Sequence, residues 1–235
     1  MRGIRAVRAT KYRGHMPFDT AQAGWQASTW EFLVRLATND GSATHCHVAR
    51  LAAADAVTRD LSDAVHAICA IHGHPPGLAG DAITAAVQPD AADWLDEIAQ
   101  AFAGERAWIA RLAAAAGPLP STPGQAETEA ALIGERHTLE MLARSDRRGC
   151  ATGAAAALVL DWIAIRAVLE RAADRFAVEI PVCRLPIEAE TATTVAMLGS
   201  TPATERAITF GAQQLLAQHR GLWSLLEARA SAREA

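Results

Sequence analysis

Four polar residues stand where the helical spacing of their neighbours calls for apolar ones. Glu105 falls near the middle of a stripe formed by Trp94, Ile98, Phe102, Ile109 and Leu112, which lie within about 40° of one line at 100° per residue. Glu135 sits between Leu132 and Leu139 at the same spacing, and His219 between Leu215 and Leu222. Asp161 is the first charge after a run of 12 uncharged residues, on a small-residue face with Gly153, Ala157 and Ala164. An uncompensated buried carboxylate is costly, so each of these groups needs a cation, a proton or hydrogen bonds.

A metal would satisfy all four. Carboxylates and a histidine projecting inward from facing helices build di-iron and di-manganese sites in bundles, and the same donors suit zinc. The di-metal sites use Glu-x-x-His twice, and no Glu-x-x-His occurs in this chain. The nearest relative, Asp63-x-x-His66, falls on a polar face with Asp55 and Arg59, where i,i+4 pairing predicts a solvated charge ladder. Ion pairing is the other solution, since Arg136, Arg144 and Arg166 lie on the same helices and arginine forms forked contacts with carboxylates.

A second constellation is the corner Asp146-Arg-Arg-Gly-Cys-Ala-Thr-Gly153. Arg147 and Arg148 precede a helix N-terminus whose free amides favour anions, and the thiol of Cys150 there would be open to activation. The same residues also describe a tight helix-helix turn in which Gly149 and Gly153 allow close packing. His45 and His47 are two apart, so they cannot chelate as a helical pair, while His72 and His74 flank Gly73 and are placed to serve the last carbonyls of a helix. Cys46, Cys69, Cys150 and Cys183 match no zinc ribbon and no Cys-x-x-Cys motif, and read as reduced, mostly buried thiols of a cytoplasmic protein.

Composition narrows the chemistry further. Of 22 basic residues, 21 are arginine and one is Lys11, so the body of the chain has no lysine for a P-loop, a Schiff base or a general base. There is no Gly-x-Gly for a dinucleotide turn, no Gly-x-Ser-x-Gly elbow and no His-Glu-x-x-His. Residues 1–15 hold five basic residues and no acid, leaving 17 basic against 26 acidic in the rest, which argues against nucleic acid as a partner. Residues 1–24 read as a basic, disordered leader without the apolar core of an export signal. Met16 offers a second start, so residues 1–15 are expected to be disordered in the native product or absent from it.

The elements that must position these residues are helices. The chain holds 55 alanines among 235 residues, and alanine is the strongest helix former. Capping-box spacing predicts helix starts at Ser28-Thr-Trp-Glu31 and at Thr122-Pro-Gly-Gln125. Between them the pattern reads as one long segment over 42–72 carrying Val57, Leu61, Val65 and Ile68, a short helix over 79–87, and a longer one after Pro89. Gly117-Pro-Leu-Pro-Ser-Thr-Pro-Gly124 is a loop. Helices then reach about residue 145 and about residue 176. The segment 178–187, with Pro181 and Pro186, is an extended crossover, and Pro202 opens a final helix to about residue 227. The 12-residue uncharged run is too short to span a bilayer and suits a central core helix. The expectation is a single all-α, up-and-down helical bundle of six to eight helices over 25–230.

Gly117-Pro-Leu-Pro-Ser-Thr-Pro-Gly-Gln125, Asp146-Arg-Arg-Gly-Cys-Ala151 and Leu160-Asp-Trp162 resemble a group of bacterial all-helical proteins of unknown function, mainly over residues 117–170. The resemblance implies a helical fold and brings no catalytic motif. Three functions are compatible with the residues. One is a bundle that binds a small ligand or a metal around Glu105, Glu135, Asp161 and His219. Another is a homo-oligomeric structural protein whose buried polar groups are ion pairs. The third is an anion-binding regulator using Arg147 and Arg148.

Overall fold

In the computed structural model, which describes residues 18–234, no strand occurs among the described residues and the chain is helical almost throughout. It runs through α1 (Phe18–Asp40), α2 (Cys46–Ala52), α3 (Thr58–His72), α4 (Gly77–Ala85) and α5 (Ala92–Ala116). It continues through α6 (Gln125–Ala143), α7 (Cys150–Phe176), α8 (Glu188–Leu198) and α9 (Pro202–Glu234). Eight of these have nine residues or more, and single 3-10 turns lie at Ser42–Thr44 and Pro89–Ala91. This is the expected all-α bundle.

The centre of the bundle is α7. Its alanines 154 to 157 are all buried, and small side chains let neighbouring helices come close to its axis. Its largest interface is with α9, and it also meets α2, α3, α5 and α6. Two glycines set the α7–α9 separation. A Cβ on Gly153 would lie 1.9 Å from the carbonyl oxygen of Ile208, and one on Gly211 would lie 2.0 Å from that of Cys150, so the two backbones touch. By length and composition α7 could cross a membrane, more so than the 12-residue run implied, but 78% of its most apolar window is buried inside the fold. Around α7 the predicted stripe of α5 is buried throughout, as are Leu61, Val65 and Ile68 of α3 and Leu215 and Leu222 of α9.

Several local expectations give way to tertiary contacts. The segment 42–72 is not one helix: Ala53 and Val57 are both extended, and the break buries Leu51, Ala56 and Leu61 while leaving Val57 59% exposed. Ser28 lies inside α1, which begins at Phe18 and packs on α8 and α9, so no helix starts at the predicted box. At Thr122 the box does not form because the hydroxyl is engaged by Arg233 at 3.0 Å, and α6 starts instead after left-handed Gly124. The crossover over 178–187 is extended as expected, anchored where Arg166 donates to the carbonyl of Pro181. Helix α8, which follows it, has no stripe strong enough to read in sequence and is ordered by its packing on α1 and α7.

Candidate functional site

Glu105 points from the middle of the α5 stripe toward α7, where it is 2% exposed. Its Oε1 accepts from Arg166 Nη1, and its Oε2 accepts from Trp162 Nε1 at 2.9 Å. Arg166 is itself almost buried. It also donates to Glu170 at 3.0 Å, and its guanidinium stacks over Trp108, 4.6 Å from the ring centre. Ion pairing therefore compensates this carboxylate, through Arg166, one of the three arginines that the sequence offered.

Trp162 joins Glu105 to a second polar cluster. His72, the last residue of α3, packs edge-on against its ring at 5.3 Å and edge-on against His219 at 5.1 Å. His72 Nε2 lies 3.2 Å from His219 Nε2, and His219 Nδ1 lies 2.6 Å from Asp161 Oδ2. Asp161 also accepts from the backbone N–H of Ser42 at 2.6 Å and from the Ser42 hydroxyl at 2.5 Å. That hydroxyl in turn accepts from Trp223 Nε1 at 2.7 Å. The 3-10 turn bearing Ser42 reaches Asp161 only because Gly41 has no side chain: a Cβ there would lie 2.7 Å from Asp161 Oδ1.

Burial alone would push the Asp161 carboxyl up, but the hydrogen bond from His219, with the two bonds from Ser42, holds it below the usual carboxylate range. An ionised carboxylate only accepts, so His219 carries a proton on Nδ1. Burial, His219 and Arg106 together push His72 well below the ordinary histidine value, so it rests neutral. Rather than serving helix carbonyls, as its position beside Gly73 suggested, His72 continues the apolar line of Leu61, Val65 and Ile68 inward. That line is the signal by which the sequence could have revealed it.

Of the four residues singled out in sequence, Glu105, Asp161 and His219 meet in this chain through Trp162 and His72. Glu135 does not. It faces Gly221 of α9, its Oε2 has no hydrogen-bond partner among the described residues, and burial raises its pKa to about 7. The oxygens of Asp161 are committed to Ser42 and His219, and those of Glu105 to Arg166 and Trp162, so these two buried carboxylates already have their donors.

His72 also lines a cavity of about 50 Å³ beneath the Pro75-Pro76 loop, together with Phe102, Arg106, Arg136, Glu140 and Asp81. His74 lines it as well, and of the other charges on this wall Arg144 bonds Asp81 at 2.7 Å and Arg136 lies 3.7 Å from Glu140. Arg106 has no carboxylate within salt-bridge distance among the described residues, and its one hydrogen bond, to the carbonyl of Ala99, is 3.5 Å long. Burial lowers its pKa, the mark of a guanidinium partly stripped of water.

The remaining candidates are structurally committed. Asp63 is buried rather than solvated, because α9 brings Arg229 onto it in a fork of 3.1 and 3.2 Å and Arg233 as a second donor, while Arg59 turns to the carbonyl of Ser121. His66 faces the carbonyl of Gly117 at 2.9 Å. At the corner before α7, Arg148 pairs with Asp90, Arg147 lies over the Phe210 ring, and Cys150 is fully buried. Gly149 and Gly153 there serve close packing. All four cysteines are free, but only Cys150 is buried; Cys46 and Cys183 are exposed.

Donor atoms of His45, Cys46 and Glu227 lie within 4.8 Å of one another. Each already bonds a protein partner, Cys46 through its thiol to Glu227 at 3.2 Å. His45 Nδ1 accepts the His47 N–H, which leaves the ring proton on Nε2, and Glu227 holds Arg50 at 2.5 Å.

Residues 37–234 match the model of a family of unknown function (DUF6975). No curated protein and no solved structure matches the chain.

Proposed function

Because the chain belongs to that family of unknown function, its activity has to be read from its own residues, and we infer that it is a helical bundle that binds a small anion in the pocket beneath Pro75-Pro76. The observation that carries this reading is Arg106. The other buried arginines, Arg166 and Arg229, hold carboxylates, whereas Arg106 is half-buried with none among the described residues. A partly desolvated cation without a counter-charge is unfavourable, and an anionic ligand removes that cost.

The size of the pocket limits the ligand. A water occupies roughly 10–15 Å³ on this scale, so about 50 Å³ accommodates one carboxylate or phosphate group and little more. Asp161 and His219 then stand behind His72, the one member of the polar chain that lines the pocket, rather than forming a metal cage. Four free thiols and an apolar α7 kept inside the fold support a cytoplasmic location.

Thermal unfolding with sulfate, formate or acetate at constant ionic strength tests the reading. Each anion should raise the midpoint beyond what chloride does, with stabilisation growing with concentration as for a single site. Arg106→Gln should abolish the effect, and Arg147→Gln with Arg148→Gln should leave it intact. Equal shifts with chloride, or loss of the effect in the Arg147/Arg148 variant alone, would refute the pocket.

A further inference from the structure

The cavity wall and the buried polar chain share one residue, His72, and the proton positions along that chain follow from its geometry. His219 Nδ1–H donates to the Asp161 carboxylate, so in neutral His219 the lone pair is on Nε2. The 3.2 Å contact to His72 Nε2 needs one proton between two nitrogens, and that proton belongs to His72. Neutral His72 then has a bare Nδ1, which makes no hydrogen bond among the described residues, on a side chain that lines the cavity beside Arg106.

We propose that the pocket is an acid–base site, in which His72 takes a proton from a small anionic ligand held by Arg106 and passes its own to His219, positioned by Asp161. This rests on the anion-pocket reading.

The step balances. The ligand's X–H bond breaks and leaves its electron pair on X, while the proton bonds to His72 Nδ1. The Nε2–H bond of His72 breaks, and that proton bonds to the lone pair of His219 Nε2. The products are the conjugate base of the ligand beside Arg106, a neutral His72 with its proton moved to Nδ1, and a His219 imidazolium against the Asp161 carboxylate. No oxidant or metal enters.

The arrangement places the positive charge where the fold can hold it. His72 faces His219 and Arg106, both unfavourable to a cation, whereas His219 faces an ionised carboxylate kept so by Ser42. The fixed edge-on packing of His72 against Trp162 and His219 keeps the two Nε2 atoms in line. The ligand class is accordingly a small carboxylate or phosphate with an acidic proton next to its anionic group.

Imidazole nitrogen NMR of the full chain, with inorganic sulfate as a probe that does not itself titrate, tests this. At neutral pH His72 should carry its proton on Nε2 and His219 on Nδ1. As pH falls with sulfate bound, His219 should become the doubly protonated ring, and sulfate affinity should rise by up to about tenfold per pH unit. In Asp161→Asn the rise with falling pH should disappear while Arg106-dependent sulfate binding persists. If that variant does not fold, the wild-type spectra decide.

A His72 proton on Nδ1 in the resting protein, or an imidazolium forming at His72, would overturn the relay. Sulfate affinity that ignores pH would overturn it too and leave the pocket standing. A wild-type protein that does not bind sulfate at all overturns pocket and relay together.

Discussion

Replacing Glu105 by glutamine removes a buried charge and changes almost no volume, which isolates the electrostatic part of the α5–α7 contact. In the wild type the carboxylate is 2% exposed and Arg166 7%, with Oε1 on the guanidinium and Oε2 on Trp162. Breaking a buried ion pair by neutralising one partner costs about 3–5 kcal/mol, because the other charge stays desolvated. Here the guanidinium keeps Glu170 at 3.0 Å, the Pro181 carbonyl and the Trp108 face, and glutamine still accepts from Trp162. The loss should therefore fall at the low end, about 3 kcal/mol.

In a domain of this size that lowers the melting midpoint by about 6–12 °C, and it should appear in urea unfolding as a lower midpoint with an unchanged slope. The double variant Glu105→Gln with Arg166→Met, which removes both charges and keeps an acceptor for Trp162 Nε1, should recover most of the loss. Sulfate stabilisation at Arg106 should persist in Glu105→Gln. A loss below about 1 kcal/mol, or a double variant weaker than the single one, would refute the ion-pair account.

Two further outcomes follow from the packing. Gly211→Ala sets a Cβ 2.0 Å from a backbone oxygen of α7 and should cost about 3 kcal/mol or more by urea titration, whereas Gly104→Ala meets no atom within 4 Å and should gain about 0.5–1 kcal/mol from helix propensity. Glu135 titrates near 7 when folded against 4.5 as its ordinary value, so the folded state binds its proton more tightly than the unfolded one. Its contribution is present below pH 4.5 and is lost as pH rises toward 7; after discounting for its part exposure, Glu135→Gln should stabilise the protein by about 1–2 kcal/mol at pH 8 and remove that slope from stability measured across the range.

The helical pattern was legible because it is local. Alanine content and apolar spacing along α5 and α9 name the buried faces, and an inward Glu105 or His219 interrupts such a face visibly. Capping was less legible: the Thr122 box agrees with every local rule, yet Arg233 competes for its hydroxyl. The polar face assigned to Asp63 failed similarly, since Arg229 and Arg233 reach it from the other end of the chain.

The sequence by itself determined an all-helical chain, its central apolar helix and three of the residues in the buried polar chain, because hydrophobic periodicity fixes which way a side chain faces. Only the tertiary structure decided what each meets there. It joined Asp161 to Ser42 across 119 residues and His72 to His219 across 147. It satisfied Glu105 with arginine, and it left the half-buried Arg106 without a carboxylate among the described residues while Arg166 and Arg229 hold theirs. Partner choice depends on distance and orientation between separate helices, which loop closure and backbone contact such as that at Gly153 and Gly211 set, and no local spacing encodes them.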